Sequence, residues 1–170
     1  DKFGLTPFGK LAVKEMEKEG IVIDVSHASE ALFYDVAENT ERPFIATHSN
    51  SKVLCKHQRN LMDDQFRIIC SRGGLVGLNY FKAFLNDDPA KADIEDLFAH
   101  AEHFLSLGGA DVVAMGSDFD GSDMPHGITG LESVEDIANV FLRHNLPEAL
   151  VDKIFFENAA SFFKRFDRNA

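Results

Sequence analysis

A short apolar run followed by a helical stretch recurs along the chain, and this repetition constrains the fold more than any other feature. The runs are rich in β-branched residues and short enough to be strands buried on both faces. They lie at residues 21–27, 43–49, 75–80 and 112–116. Because strands that alternate with helices form parallel sheets, the sequence predicts an α/β protein of four βα units. Four units make half of a (β/α)8 barrel, although the pattern leaves open whether the sheet closes.

Capping residues indicate where helices begin. Thr6 with Pro7 opens the first helix, Ser29 opens the second and Asp93 opens a later one, since such residues satisfy or suit the first helical turn. The predicted helices span residues 6–20, 29–37, 63–73, 93–108, 133–144, 147–155 and 158–166. No linker or internal repeat divides the chain, so a single domain is expected.

The composition excludes several classes of protein. The 170 residues carry a formal net charge of -11, and an acidic chain is a poor partner for nucleic acid or for an anionic membrane. No apolar run reaches the roughly 20 residues that span a bilayer, and no signal peptide precedes the first helix. Cys55 and Cys70 match no metal or redox spacing and are expected to be reduced, which favours a cytoplasmic protein.

Two histidines directly follow neighbouring apolar runs. His27 ends the first run and His48 follows the second. Ligands of parallel α/β proteins bind at the carboxyl ends of the strands, so both imidazoles are expected at the same edge of the sheet. Because zinc is held by neutral histidine together with carboxylates, the pair predicts a metal site. For either histidine alone, a loop residue or a hydrogen-bonded core residue is the alternative.

Two charged residues near these strand ends are further candidates for the site. Asp118 follows the fourth strand and is predicted to be a metal ligand or a general acid or base, with a turn or capping aspartate as the alternative. Arg59 can bind a substrate carboxylate through two N–H groups, or it can be a solvated surface residue. Asp24 is expected to be a structural carboxylate, and His100 to lie on the solvent side of its helix.

The order and spacing of several motifs resemble the C-terminal half of the membrane (renal) dipeptidase family, the zinc peptidases of family M19. The resemblance covers essentially all 170 residues. The matching motifs are Gly4-Leu5-Thr6-Pro7-Phe8-Gly9, Asp24-Val25-Ser26-His27, Thr47-His48-Ser49, Arg59-Asn60 and Gly116-Ser117-Asp118-Phe119-Asp120-Gly121, with Gly130-Leu131-Glu132 behind them. The resemblance implies a TIM (β/α)8 barrel of the metal-dependent amidohydrolase type, in which residues 1–170 form a single partial domain with strands five to eight and the C-terminal helices.

The resemblance also implies an activity and a role for each candidate residue. His27 and His48 match the family's two histidine ligands to one of two zinc ions, and Arg59 matches the residue that holds the terminal carboxylate of the substrate. Asp118 matches the catalytic acid or base, which passes a proton to the leaving amine. The implied reaction is zinc-dependent hydrolysis of a small dipeptide.

The family's other zinc ligands, a His-x-Asp pair and a bridging glutamate, belong to an N-terminal half that this sequence does not match. We therefore expect part of a longer enzyme that has little activity alone and that pairs with that half or forms a homodimer. Two other functions stay open. One is another barrel-type metal amidohydrolase such as an N-acyl amino acid deacylase, and the other is an inactive half-barrel that serves as an assembly module.

Overall fold

The computed structural model describes residues 3–168, so Asp1, Lys2, Asn169 and Ala170, which the predicted domain includes, lie outside the described residues. The strands are β1 (Ile45–Ala46), β2 (Leu75–Asn79) and β3 (Val113–Ser117). The α-helices are α1 (Pro7–Lys18), α2 (Glu30–Asn39), α3 (Asp63–Ser71), α4 (Lys82–Leu85), α5 (Ile94–Ser106), α6 (Val134–Arg143), α7 (Glu148–Asp152) and α8 (Asn158–Arg168).

The strands form one parallel sheet in the order β1-β2-β3, which confirms the predicted α/β class. The strand predicted at residues 21–27 is wrong as a full strand, because within the described chain this segment pairs through a single parallel bridge between Asp24 and Ile45. The Asp24 side chain is the physical reason. Its Oδ1 accepts the backbone N–H groups of Ser26 (2.9 Å) and Thr47 (3.0 Å), so a carboxylate takes the place of further ladder bonds.

The helix starts predicted from capping residues are confirmed. Thr6 Oγ1 accepts the backbone N–H of Gly9 at the start of α1, and Ser29 Oγ accepts that of Leu32 at the start of α2, both at 3.1 Å. Asp93 caps α5 in the same way, through the N–H groups of its first turn. Among residues 3–168, the structure contains no helix with the length and apolar character needed to cross a membrane.

The break predicted between the last two helices is absent. A π-helical turn, Lys153–Glu157, joins α7 to α8, and such turns interrupt an α-helix without ending it. Asn158, the first residue of α8, is buried, and its side-chain amide donates to the carbonyl oxygens of Ala110 (3.0 Å) and Val113 (2.8 Å). The continuous helical element is therefore anchored at the start of β3.

The two faces of the sheet pack against different elements. One face belongs to the main core, to which α3, α5 and α6 contribute. The other face and α8 form a second apolar cluster, which contains Ile45, Leu75, Ala114, Phe162 and Phe166. The three sheet residues of this cluster lie at the beginnings of their strands, so α8 covers the N-terminal end of the sheet. The carboxyl ends of the strands lie at the opposite end of the sheet from α8, and polar residues follow them.

His100 is buried, and its predicted place on the solvent side of α5 is wrong. The ring is fully enclosed, with Nδ1 accepting the backbone N–H of Ser51 and Nε2 donating to the carbonyl oxygen of Leu85, both at 3.0 Å. The loop after β1 and the short helix α4 cover this side of α5, and neither contact has a local signal in the sequence. Burial lowers the pKa of His100 to about 4, so the neutral ring is part of the folded structure.

We expect His100→Gln to flatten the pH dependence of stability. The folded-state pKa of His100 lies below the unfolded value, so the unfolded chain binds the proton first as the pH falls from about 6.5 towards 4. The wild-type protein should therefore lose about 2 kcal/mol of unfolding free energy between pH 7 and pH 5 through this residue, and the variant should not. Urea denaturation at both pH values measures the difference, and equal losses in the two proteins would contradict the assignment.

Candidate active site

A cleft of about 570 Å³ opens at the carboxyl ends of the strands. Its lining comprises His27, Arg59, Phe81, Phe84, Asp118, Asp120, Gly121, Ser122 and Asp123. Three of the four site residues predicted from the sequence therefore line one cleft, and the fourth, His48, contacts His27 beside it. The structure thus brings together residues from the segment before β1, the loop after β1 and the end of β3.

The two histidine rings meet edge to edge at their Nε2 atoms. These atoms lie 2.9 Å apart, with the ring planes inclined at 63°. Two nitrogen atoms at this separation fit one metal ion at bond lengths of about 2.0–2.1 Å. Partial burial lowers the pKa of His27, and the positive charges of Arg59 and of His48 in its protonated form lower it further, against the opposing effect of Asp118 and Asp24. The neutral form of His27, which is the ligand form, is thus favoured.

The hydroxyl of Thr47 determines which nitrogen of His48 carries the proton. Thr47 Oγ1 donates its hydrogen to Asp24 Oδ2, and it lies 2.8 Å from His48 Nδ1. Because the hydroxyl hydrogen is already used, Nδ1 must be the donor in that second bond. Nε2 of His48 is then left with a lone pair that points at His27. Asp24, predicted to be structural, is confirmed as a hydrogen-bonded carboxylate that supports a candidate ligand through Thr47.

Two glycines on neighbouring strands make room for the backbone that carries His48. A Cβ atom on either Gly77 of β2 or Gly116 of β3 would overlap the carbonyl oxygen of Thr47. The two glycines also face each other closely, since a Cβ on Gly77 would lie 2.8 Å from Gly116 Cα. The chain after β1 can therefore fold over the sheet only where both side chains are absent, and the position of His48 depends on this approach.

Asp118 follows an irregularity in the sheet. Leu78 pairs with Met115 but Asn79 pairs with Ser117, so one extra residue of β3 is inserted at this point. Ser117 (φ 50°) and Asp118 (φ 81°) both take the left-handed conformation, which is uncommon for residues with a side chain. The distorted backbone turns the Asp118 carboxylate into the cleft, where its Oδ2 accepts a hydrogen bond of 3.1 Å from Asn79 Nδ2.

The guanidinium of Arg59 lies over an aromatic ring at the side of the cleft. Its Cζ atom is 5.4 Å from the centre of the Phe84 ring. Nε and Nη2 of Arg59 are shielded from solvent and have no hydrogen-bond partner within residues 3–168. Desolvation lowers the pKa of Arg59, whereas the charges of Asp118 and Asp24 raise it. A partly buried cation that lines a cleft is suited to an anionic group there.

The loop that carries Arg59 is fastened from beneath by Asn60. Its side-chain Nδ2 donates to the carbonyl oxygens of Cys55 (2.9 Å) and Phe84 (2.8 Å), which ties the loop to itself and to α4. The Arg59 backbone N–H donates to His57 Nδ1 at 3.2 Å. Cys55 is a buried free thiol, as is expected for a reduced cysteine, and its Sγ donates to the carbonyl oxygen of Ala83. These contacts fix the position of the Arg59 backbone relative to the sheet.

Sequence reasoning missed three residues that shape the site. Asn79 is a polar residue at the end of an apolar run, and the rule that singled out His27 and His48 would have found it. Thr47 belongs to a matching motif but had no role assigned to it, and Phe84 has no comparable signal, because its contact is made across the fold. Within residues 3–168, no three His, Cys, Asp or Glu side chains form a group that could hold a metal ion, so the two imidazoles stand as a pair.

The sequence model of the family described as membrane dipeptidase (peptidase family M19) matches residues 1–170. The chain belongs to the membrane dipeptidase family. A relative from Klebsiella pneumoniae, an uncharacterised protein in the pqqA 5′ region, is 34% identical over 158 residues, which make up 91% of this chain and 58% of that protein. The chain therefore spans less than two thirds of that relative's length.

Solved structures of related enzymes are similar over nearly the whole chain. The crystal structure of a metallo peptidase from Rhodobacter sphaeroides, liganded with a phosphinate mimic of the dipeptide L-Ala-D-Ala, has a TM-score of 0.92 and 36% identity, with 96% of this chain and 47% of that chain covered. The dipeptidase AC, a metallo peptidase of family M19, has a TM-score of 0.91 and 36% identity, with 95% and 49% covered. The α/β fold with parallel strands is thus shared with these two metallo peptidase structures, each about twice as long as this chain.

The approach of Thr47 to the glycine pair gives a prediction. Gly77→Ala should destabilise the protein by about 3 kcal/mol, because the new methyl group meets a backbone carbonyl that no rotamer change can move. Gly9→Ala is the matched control, since the Cβ there meets the flexible side chain of Leu5 at 3.0 Å and should leave stability within about 1 kcal/mol of wild type. Urea denaturation compares the variants, and equal stability of the two would exclude the close approach.

Proposed function

We propose that this chain supplies one half of the active site of a zinc-dependent dipeptidase. The observation that carries the proposal is the 2.9 Å approach of His27 Nε2 to His48 Nε2 beside a cleft that Arg59 and Asp118 line. Two imidazoles, a partly buried guanidinium and a carboxylate are suited to metal-assisted hydrolysis of a substrate that carries a negative charge. Membership of the membrane dipeptidase family supports the same reaction.

In this proposal His27 and His48 hold one zinc ion through their Nε2 atoms. The lone pair on His48 Nε2 is secured by the bond from Nδ1 to the Thr47 hydroxyl, and the lowered pKa keeps His27 neutral. When bound, zinc supplies a Lewis acid that polarises the scissile carbonyl. Zinc ordinarily takes about four ligands, so the proposal assigns the missing ones, and a second zinc ion, to the part of the longer relatives that this chain does not match.

Arg59 is proposed to bind the terminal carboxylate of the dipeptide. Arg59 lines the cleft, and a guanidinium offers pairs of N–H donors in one plane that match a carboxylate. The ring of Phe84 beneath the guanidinium limits its movement. A dipeptide held in this way has its peptide bond directed along the cleft towards the histidine pair and Asp118, which is how orientation contributes to rate.

Asp118 is proposed to move the proton. Its Oδ2 accepts a hydrogen bond from Asn79, and Oδ1 is proposed as the oxygen that takes the proton from the attacking water and passes it to the leaving amine. The carboxylate stands on a distorted strand end that turns it into the cleft. A general acid or base must lie within hydrogen-bond reach of the reacting atoms, and the position of Asp118 in the lining of the cleft supports this role.

The proposal includes an architecture in which this chain is the C-terminal half of a (β/α)8 barrel. The segment at Asp24 with β1, β2 and β3 would be strands five to eight, in the observed parallel order. Large apolar residues are exposed on α1 and after α7, among them Phe8, Leu11 and Phe156. The proposed partner that covers them and adds strands at both edges is the other half of the barrel, with a second copy of this chain as the alternative partner.

Zinc content tests the histidine pair. Residues 1–170 alone should bind at most one zinc ion per chain, because two ligands make an incomplete site. They should also hydrolyse a dipeptide far more slowly than the proposed longer protein that contains both halves of the barrel, which is called the intact protein below. His27→Ala with His48→Ala should remove that ion, which elemental mass spectrometry of the purified chain would measure. His126→Ala with His144→Ala is the matched control outside the cleft. Equal zinc in both double variants, or faster cleavage of N-acyl amino acids than of dipeptides by the intact protein, would reject the proposal.

The role of Arg59 predicts a change in KM. In the intact protein, Arg59→Met should raise KM for a dipeptide by about 10- to 100-fold, since a hydrogen bond to a charged group contributes about 1.5–3 kcal/mol. The methionine side chain keeps the contact with Phe84, so the loop should stay in place. A dipeptide amide is the control substrate, because it lacks the carboxylate and should be handled equally by both proteins. A KM increase of the same size for the amide would show that Arg59 acts on the fold instead.

A further inference from the structure

The end of β2 places a buried amide between the strand ends that lead to His48 and to Asp118. Asn79 is fully enclosed, and its side-chain Nδ2 donates to Asp118 Oδ2 at 3.1 Å. Its Oδ1 accepts the backbone N–H of Phe81 at 2.6 Å. Because a backbone N–H can only donate, Oδ1 must face Phe81, and the NH2 group is thereby directed at the carboxylate.

Both backbone groups of Asn79 are also hydrogen-bonded, in each case to the side chain of Asn50. Its N–H donates to Asn50 Oδ1 at 2.9 Å, and its carbonyl oxygen accepts from Asn50 Nδ2 at 2.8 Å. Asn50 is also fully buried and lies two residues after His48. A pair of amides thus connects the strand end that carries a candidate metal ligand to the carboxylate proposed to move the proton. Such buried networks are rigid when every member has a partner.

The second oxygen of Asp118 is confined from the opposite side by Gly121. A Cβ atom on Gly121 would lie 2.6 Å from Asp118 Oδ1, so the carboxylate occupies space that any other residue would fill. Asn79 at Oδ2 and the bare backbone at Oδ1 leave the carboxylate little freedom to rotate. Gly121 takes no left-handed conformation that would by itself require glycine, so the contact with Oδ1 is what an added side chain would disturb here.

We infer that Asn79 is a positioning residue for the catalytic carboxylate of Asp118, with Gly121 completing the restraint. The inference rests on the proposed function. Asn79 does not reach the substrate; it acts by fixing the direction in which Oδ1 faces the reacting atoms. Misplacement of a reacting group by about 1 Å can cost about 100-fold in rate, which sets the scale of the expected effect.

The first test replaces the donor with an isosteric acceptor in the intact, metal-loaded protein. Asn79→Asp keeps the oxygen that accepts from Phe81 and removes the N–H group that holds Asp118. We expect kcat for a dipeptide to fall by about 10- to 100-fold while KM, set at Arg59, changes less than about threefold. Metal content should stay at the wild-type level. In the Asp118→Asn background, Asn79→Asp should cause no further loss, because it acts through the carboxylate already removed.

The second test does not depend on how a buried aspartate is tolerated. Gly121→Ala places a methyl group against Asp118 Oδ1, whereas Gly130→Ala places one at the same 2.6 Å from Oε2 of Glu132, an exposed side chain outside the cleft. In both variants the atom nearest to the new methyl group belongs to the end of a side chain and not to the backbone, so both variants should fold. We expect Gly121→Ala to lower kcat with little change in KM, and Gly130→Ala to retain wild-type kinetics.

The outcomes separate this inference from the proposed function. A wild-type protein with no dipeptidase activity would reject the proposed function itself. An active wild-type protein whose kcat stays within about twofold in both Asn79→Asp and Gly121→Ala would overturn the positioning role alone. A parallel loss of kcat and of metal in Asn79→Asp would also overturn it, since the amide would then support the metal site. If Asn79→Asp does not fold, the values of kcat for Gly121→Ala and Gly130→Ala decide whether Asp118 has to be positioned.

Discussion

Parallel strands that end together leave backbone N–H and C=O groups without partners from the sheet at their carboxyl ends. In this protein, side chains that bond these backbone groups determine the structure around the candidate site. Asp24 accepts the N–H of Thr47, and Asn50 bonds both backbone groups of Asn79. Asp24 and Asn79 also contact residues of the candidate site. Asp24 holds the Thr47 hydroxyl beside His48, and Asn79 holds Asp118. The hydrogen bonds that satisfy the strand ends are therefore linked to those that order the candidate site.

The parts of the fold that could be predicted have local signals. β2 is a continuous apolar run, and α5 begins at a capping aspartate, so both follow from neighbouring residues alone. The failures involve partners distant in the sequence. The first predicted strand is reduced to one bridge by a bond from Thr47 to Asp24, and His100 is buried by a loop around Ser51. Periodicity contains no information about such contacts.

The candidate site divides in the same way. His27, His48 and Asp118 could be found because each follows an apolar run, and parallel strands bring such positions to one edge. Arg59 could be named as a candidate from its place in the loop, but only the family resemblance favoured it over a solvated surface residue, since its shielding by the fold has no local signal. Phe84 was not predicted at all, because its contact with the guanidinium depends on where α4 sits after the chain has folded.

The glycine at position 77 has a consequence for how this family can vary. Its missing side chain is matched to the path of the backbone at Thr47, which crosses the sheet in the space that both Gly77 and Gly116 leave. A homologue with a larger residue at this place has to route the chain after β1 differently and seat its second histidine from a new backbone position. Substitutions at Gly77 should therefore covary, among homologues, with substitutions in the segment up to His48.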